Sequence, residues 1–142
     1  MKVLFVSAES YPFIKTGGLG DVAFALPKAL KSLGVDVRIM LPKYLQIPEF
    51  YKYKMEQVDV FSVPVGWRNQ YCGVQHLEFE GLDFYFVDNE YYFKRENAYG
   101  YFDDAERFSF FSRATVEFVK RMNFIPDIIH LNDWHTALIP AY

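Results

Sequence analysis

One pattern at the start of the chain restricts the fold more than any other feature. Lys2–Ala8 is a continuous apolar run rich in valine and leucine, which is typical of a strand covered on both faces. A glycine-rich loop follows, and a segment with helical apolar spacing then ends at Gly34. Val35–Leu41 is predicted to be a second strand. Strand, helix and strand in this order predict a right-handed crossover, and therefore a parallel sheet flanked by helices.

The helix of this unit is predicted to bury one face against the sheet. Its apolar residues recur at three- and four-residue steps. The residues of this predicted face are Val22, Ala25, Leu26, Ala29, Leu30 and Leu33. Because Pro27 lies inside the segment, we also expect a kink in the helix.

Along the rest of the chain, the spacing of the apolar residues changes twice. Apolar and polar residues alternate between Tyr44 and Val87, which favours antiparallel hairpins inserted into the parallel fold. Helical spacing returns from Ala105 and ends before Pro126, and Asp127–Asn132 is predicted to be a third buried strand of the parallel type. Asn132 or Asp133 is then expected to cap another helix. Since no stop signal follows that helix, we expect one truncated domain, residues 1–142, at the front of a longer protein.

Composition excludes several classes of protein. With 51% hydrophobic and 20% aromatic residues, the chain is not disordered. Its formal charge is -3 and it has no run of basic residues, so it lacks the positive patch with which proteins bind nucleic acid or an anionic membrane. Cys72 is the only cysteine, so the chain cannot form an internal disulfide, and a reducing cytoplasm is expected. The apolar N-terminal run is too short for a signal peptide or a membrane span.

The loop between the first strand and the first helix is the first candidate site. Backbone N-H groups of a glycine-rich loop at a helix N-terminus can approach an anion closely, and Lys15 adds a positive charge. GLGDVA also fits a dinucleotide fingerprint, but the preceding loop, Glu9–Gly17, is long and the second strand ends without a carboxylate. From spacing alone, a surface turn with a solvated lysine remains an equal alternative to a phosphate or sugar site.

The second candidate site is HLNDWHT, at the carboxyl end of the last predicted strand. Ligands bind at this edge of an open parallel sheet, so Asp133, Trp134 and His135 are expected to share a crevice with the glycine loop. The carboxylate and imidazole can bond sugar hydroxyls, and the indole can pack on a sugar face. The alternative is that Asp133 only caps a helix and Trp134 only fills the core. His130 and His135 lack a third ligand at metal spacing, so no zinc site is expected.

The third candidate is the aromatic and charged loop that precedes the long helix. Tyr99 and Tyr101 are candidates for ligand contact, although packing is the commoner role of tyrosine in such a chain. Asp103 and Asp104 are expected to serve as the helix cap and first-turn acids. Glu106 and Arg107 are expected on a solvated helix face.

Three separated stretches together resemble the N-terminal region of bacterial glycogen synthases and plant starch synthases. These are VLFVSAESYPFIKTGGLGDVAFALPKAL, YGYFDDAERFSFFSRA and IIHLNDWHTALIPAY, in the order found in that family and over essentially the whole chain. The most specific motif is KTGGL, Lys15–Leu19. The resemblance implies the N-terminal half of a GT-B fold, with two Rossmann-like domains facing each other across a cleft. It also implies transfer of glucose from ADP-glucose to the non-reducing end of an α-1,4-glucan, with retention of configuration.

The resemblance assigns roles to seven residues and implies no metal and no cofactor besides the donor substrate. The residues expected to meet the diphosphate and sugar of ADP-glucose are Lys15, Gly17 and Gly18. The residues expected at the sugar and acceptor side are Asp133, Trp134, His135 and, with weaker support, Tyr99. The basic residues for the phosphates and a carboxylate near the reaction centre would lie in the missing second domain, so this chain alone is expected to be inactive. The alternatives are a stand-alone glucan-binding module and a nicotinamide-dependent oxidoreductase domain.

Overall fold

The computed structural model describes residues 1–142, and its centre is one six-stranded sheet with the strand order β3-β4-β5-β2-β1-β6. The strands are β1 Lys2–Val6, β2 Asp36–Pro42, β3 Glu56–Val65, β4 Arg68–Phe79, β5 Leu82–Asp88 and β6 Ile128–Leu131. The helices are α1 Gly18–Ser32, α2 Glu49–Lys52, α3 Glu90–Phe93 and α4 Asp104–Arg121. Two short 3-10 turns, Trp134–Thr136 and Ile139–Ala141, follow β6. None of the helices combines the length and the hydropathy that a bilayer crossing requires.

The predicted parallel crossover is confirmed. β1 pairs in parallel with β2 on one side and with β6 on the other, and β2 pairs in parallel with β5. The third predicted strand, β6, is parallel as expected but is not buried, because it lies at the edge of the sheet with Ile128 and Ile129 exposed. The alternating segments form the antiparallel pairs β3-β4 and β4-β5, as predicted. They extend the same sheet instead of forming a separate layer, because β5 joins both halves. Its residues Phe84, Phe86 and Val87 are completely buried, so β5 is covered on both faces and lacks the half-exposed alternation that was predicted for it.

The segment before the glycine loop is anchored in the aromatic core. Phe13 is buried, and its ring centroid lies 4.8 Å from that of Phe84 and 5.0 Å from that of Phe86. Tyr51 and Phe79 contact the same ring edge-on, at 5.0 and 5.7 Å. Edge-to-face packing of this kind fixes ring positions, so the chain is held immediately before it reaches Lys15.

The predicted buried face of α1 is only partly right, because Leu26 and Leu30 pack against the core while the other residues of that face are exposed. Val22 and Leu33 are 49% and 79% exposed, whereas the helix buries Gly20, Ala23 and Pro27. Apolar residues occur on almost every side of this helix, so their spacing did not select one face. The sheet instead accepts the side that carries small residues, which allow the backbone to approach closely. The helix continues through Pro27 to Ser32.

The prediction of a solvated face at the start of α4 is also wrong. Arg107 is completely buried, where its Nε donates to the carbonyl of Tyr92 at 2.7 Å. Its Nη1 donates to the carbonyl of Ala98 at 2.9 Å and to Asp104 Oδ1 at 2.8 Å. The Glu106 carboxylate accepts from the Tyr92 hydroxyl at 2.6 Å. The helix turn is covered because the loop that precedes it folds back over α4 and is bonded to it.

A second arginine, Arg95, joins the two ends of this loop. Arg95 makes two hydrogen bonds to the carboxylate of Asp103, at 2.5 and 2.8 Å. Asp103 stands at the N-cap position of α4, as predicted, but its side chain makes no capping hydrogen bond and is bonded to Arg95 instead. Asp104 lies in the first turn as predicted. The loop that carries Tyr99 is therefore held at both ends by charged pairs.

The predicted helix after β6 is replaced by the two 3-10 turns. Asp133 is the N-cap of the first, and its Oδ1 accepts from the Trp134 N-H at 2.7 Å. Pro140 stands at the start of the second, and proline disfavours a helical conformation in the residue before it. The capping prediction therefore holds, while the helix is broken into two turns.

Arg107→Met tests whether the buried guanidinium holds the loop. It leaves the carbonyls of Tyr92 and Ala98 and the Oδ1 atom of Asp104 without this donor, so we expect the free energy of unfolding to fall by about 3 kcal/mol. Arg113→Met is the matched control, because the Arg113 side chain is partly exposed on the same helix, 4.0 Å from Glu117. Urea unfolding should show a change within about 0.5 kcal/mol for that control. Equal effects of both substitutions would contradict the structural role of Arg107.

Candidate functional site

Three segments meet at the carboxyl edge of the parallel strands. The loop after β1 and the turn after β6 lie beside each other, and Asn132 Nδ2 donates to the carbonyl of Val6 at 2.9 Å. Tyr99 bridges them, since its hydroxyl donates to Glu9 Oε2 at 2.9 Å and its ring centroid lies 4.6 Å from that of His135. This is the edge where ligands bind in open sheets of this kind. The structure therefore brings the three candidate segments into one place.

Two glycines of the loop, Gly17 and Gly18, are not required by the packing of the chain. Gly17 and Gly18 are exposed, and a Cβ atom built on either has no heavy atom within 4 Å beyond its neighbours in the chain. Neither needs a positive φ; Gly17 has an extended backbone with φ -168°. Open space next to exposed backbone is what a closely approaching ligand needs.

Only some of the loop amides are free to bind a ligand. The N-H groups of Gly17 and Gly20 donate to Glu9 Oε1, at 3.3 and 2.9 Å. The N-H groups of Gly18 and Leu19, in the first turn of α1, have no acceptor within the chain. The available donors are thus Gly18, as predicted, and Leu19, which sequence analysis missed. Leu19 could have been found from the helix start, because first-turn amides have no intrahelical partner.

Lys15 stands beside these free amides, paired with an acid of the first helical turn. Its Nζ lies 3.0 Å from Asp21 Oδ2, and both side chains are about half exposed. Such an exposed pair contributes little to stability and separates readily. Lys15 is thus held near the N-terminus of α1 and remains accessible to an anion.

Glu9 is a second residue of the site that the sequence did not single out. It is only 1% exposed, and in addition to the two amides it accepts from Thr16 Oγ1 at 2.5 Å and from the Tyr99 hydroxyl. An acid immediately after a buried strand and before a glycine loop was the available signal. Its partner Tyr99, far away in the sequence, could not be inferred from that signal.

His135 lies in an aromatic cage. Its ring centroid is 4.0 Å from that of Trp134 and 5.0 Å from that of Phe108, and Tyr99 packs on it as well. The residue is 4% exposed, and neither ring nitrogen has a hydrogen-bond partner. Burial lowers the pKa of His135, against a smaller opposing effect of the nearby Asp133 carboxylate. The imidazole is therefore neutral at neutral pH, with one donor and one acceptor unused.

Asp133 has an unusual backbone conformation. With φ 64° and ψ -177°, it occupies a region that is almost restricted to glycine and costs on the order of 1–3 kcal/mol. Residues in this conformation cluster at functional sites. Its side chain is exposed, and the neighbouring Trp134 is 51% exposed. Asp133 is therefore a cap as well as an exposed candidate ligand, and Trp134 is not a core residue.

Two other candidates lie apart from this arrangement. Tyr101 packs beneath the guanidinium groups of Arg95 and Arg107, so it has a structural role. His130 stacks on Phe5 at 4.7 Å, away from the cage. No group of three His, Cys, Asp or Glu side chains is placed to hold a metal ion.

Two cavities open along the same edge of the sheet. One of about 250 Å³ is bordered by Phe108, Ser112, Trp134, His135 and Leu138, and so adjoins the aromatic cage. A larger one of about 370 Å³ lies near the ends of β2 and β5, between Lys43 and Asp88. None of the seven predicted site residues borders the larger cavity.

The chain matches a family model described as the starch synthase catalytic domain over residues 2–142. It is 61% identical over 141 residues to the glycogen synthase of Caldicellulosiruptor saccharolyticus, and 57% identical over 142 residues to that of Clostridium acetobutylicum. Each match covers 99% of this chain and 30% of the relative. The chain therefore spans about 30% of the length of these relatives.

The fold also matches a solved structure. This is the catalytic domain of starch synthase IV from Arabidopsis thaliana bound to ADP and acarbose, with a TM-score of 0.87 and 35% identity. The match covers 96% of this chain and 29% of that protein. It agrees with the predicted fold class, the N-terminal half of a GT-B catalytic domain.

Gly18→Ala and Gly20→Ala test the steric interpretation of the glycine loop. A Cβ at Gly20 would lie 3.2 Å from the Cα of Lys15, whereas one at Gly18 meets nothing. We expect Gly20→Ala to lower the free energy of unfolding by about 1–3 kcal/mol through overpacking. Gly18→Ala should not destabilise the chain by more than about 0.5 kcal/mol in urea unfolding. The reverse order would contradict the loop geometry.

His135→Phe tests the neutral buried imidazole. Because the folded-state pKa of His135 lies below the value of 6.5 expected in the unfolded chain, the unfolded state binds the proton first as pH falls. Stability is therefore lost below about pH 6.5. We expect the urea midpoint of the wild type to fall more than that of His135→Phe between about pH 7 and about pH 5. Parallel pH profiles would show that His135 does not contribute this way.

Proposed function

Because this chain belongs to the starch synthase catalytic domain family, we propose that it is the front part of a retaining glycosyltransferase. The full-length enzyme would transfer glucose from ADP-glucose to the non-reducing 4-hydroxyl of an α-1,4-glucan. The observation that carries this proposal is the meeting of a free helix N-terminus, a lysine and an aromatic cage at one edge of the sheet. The solved relative that the chain resembles binds ADP and acarbose.

The donor diphosphate would bind at the start of α1. The free N-H groups of Gly18 and Leu19 and the positive end of the helix dipole favour an anion there. Lys15 would exchange Asp21 for a phosphate oxygen, a move that its exposure permits. Gly17 would contribute open space more than a hydrogen bond, since its amide is bonded to Glu9.

The same groups would assist the chemical step. Glucosyl transfer breaks the bond between the anomeric carbon and the diphosphate oxygen, so negative charge grows on that oxygen. Preorganised amides and an ammonium group stabilise such charge more strongly than water does, because they are already oriented. The chain would thus stabilise the leaving group.

The sugar and acceptor would lie against the turn after β6. The exposed indole of Trp134 can pack on a sugar face, and the carboxylate of Asp133 can accept from sugar hydroxyls. His135 can both donate and accept, but its nitrogens are buried. A hydroxyl can therefore reach them only after the neighbouring rings of Trp134 or Tyr99 shift.

The remainder of the enzyme would supply the other wall of the cleft. The chain corresponds to about 30% of its relatives, so we propose that residues 1–142 form part of one Rossmann-like domain and that a second such domain completes the donor site. The chain alone is then expected to lack transferase activity. No cofactor besides the donor enters this proposal.

Lys15→Ala in the full-length enzyme tests the proposed donor site. Removing the cation should lower kcat/KM for ADP-glucose by roughly 100-fold or more, as loss of one preorganised charge-stabilising group does elsewhere. Lys28→Ala is the matched control, because Lys28 also lies in α1 and forms a half-exposed 3.0 Å pair, with Glu80. Steady-state assays with glycogen as acceptor should show no loss for the control. If the two variants had equal kinetics, Lys15 would be only a solvated surface residue and not part of the donor site.

A further inference from the structure

We propose that Glu9 is a positioning residue that holds the two walls of the site in register, an inference that rests on the function proposed above. Glu9 lies beneath the glycine loop, 1% exposed, and is too enclosed to touch a substrate. It would act through the groups bonded to its carboxylate. One wall is the glycine loop with Lys15, and the other is the aromatic cage around His135.

The two oxygens of Glu9 divide their contacts between backbone and hydroxyl donors. Oε1 accepts from the amides of Gly17 and Gly20, and Oε2 accepts from the hydroxyls of Thr16 and Tyr99. An ionised carboxylate is an acceptor only, and burying one is unfavourable unless its lone pairs are used. Four donors satisfy it here, so the carboxylate and its donors form one connected unit.

The backbone contacts decide which amides of the loop remain free. Gly17 has no side chain with which to cap α1, and no local residue replaces it. Glu9 provides the cap from a distant position by binding Gly17 and Gly20. The amides left over are Gly18 and Leu19, which are those proposed to meet the diphosphate.

The hydroxyl contact fixes the other wall. Tyr99 packs on His135 with ring centroids 4.6 Å apart and an interplanar angle of 30°. The bond from its hydroxyl to Glu9 sets how deeply the ring enters the cage. The next residue back, Ala98, is held by Arg107, so the backbone of Tyr99 is also restrained. Movement of the loop after β1 is thereby transmitted to the ring that covers His135.

Thr16 and Tyr99 give a way to test this connection. They share the Oε2 atom of Glu9, and no hydrogen bond joins them directly. Thr16→Val and Tyr99→Phe each remove one hydroxyl with little change in shape. Glu9→Gln keeps an oxygen for the amides and replaces the hydroxyl acceptor by an NH₂ group. Glu78→Gln is the charge-matched control, because Glu78 is exposed and makes no side-chain hydrogen bond or salt bridge.

The experiment measures kcat and KM for ADP-glucose and glycogen in the full-length enzyme, with thermal unfolding of each variant alongside. We expect Glu9→Gln to lower kcat/KM by roughly 10- to 100-fold, as small misplacements of positioning groups do, while Glu78→Gln matches the wild type. Thr16→Val and Tyr99→Phe should each lower kcat/KM, and together by less than the product of their separate losses. In the Glu9→Gln background, neither should cause a further loss.

Three results would overturn the inference while leaving the proposed function standing. These are wild-type kinetics for Glu9→Gln, simple multiplication of the Thr16→Val and Tyr99→Phe effects, and a loss of activity that only follows the loss of folded protein. A merely structural Glu9 would give the third result. An inactive wild-type enzyme would instead overturn the proposed function, and this inference with it.

Discussion

The burial of the Glu9 carboxylate is the constraint on which the rest of the site depends. A charged group at 1% exposure must be surrounded by donors, and its four donors come from two places in the sequence, the loop after β1 and Tyr99 before α4. Satisfying it brings these places together. The free amides of Gly18 and Leu19 lie on one side of this connection, and the ring of His135, on which Tyr99 packs, lies on the other.

The features that sequence predicted are those set by local pattern. Continuous apolar runs gave the parallel strands, alternation gave the hairpins, and the crossover rule placed the carboxyl ends of β1 and β6 at one edge. The glycine loop and the Asp133–His135 turn were therefore expected to be neighbours, and Tyr99 lies between them. The family comparisons agree with the resemblance carried by the same motifs, and not with the nicotinamide alternative that GLGDVA left open.

The features that sequence missed depend on partners remote in the chain. An arginine near the start of a helix is usually solvated, yet here the segment that folds back over α4 covers Arg107 and supplies two carbonyl acceptors. The buried side of α1 was decided by close approach of small residues such as Ala23, which hydrophobic spacing does not register. Glu9 was not predicted as a site residue because its role depends on a hydrogen bond from Tyr99, which lies far away in the sequence. Each error arose where a long-range contact overrode a local preference.

Hydrogen-deuterium exchange of the full-length enzyme with and without ADP tests most directly whether the two segments form one site. The amides of Gly18 and Leu19 have no partner in this structure and should exchange rapidly without nucleotide. We expect ADP to slow exchange both in the segment from Lys15 to Gly20 and, through Glu9 and Tyr99, in the segment from Asp133 to Thr136. Slowing in neither segment, or in only one of them at saturating ADP, would contradict it.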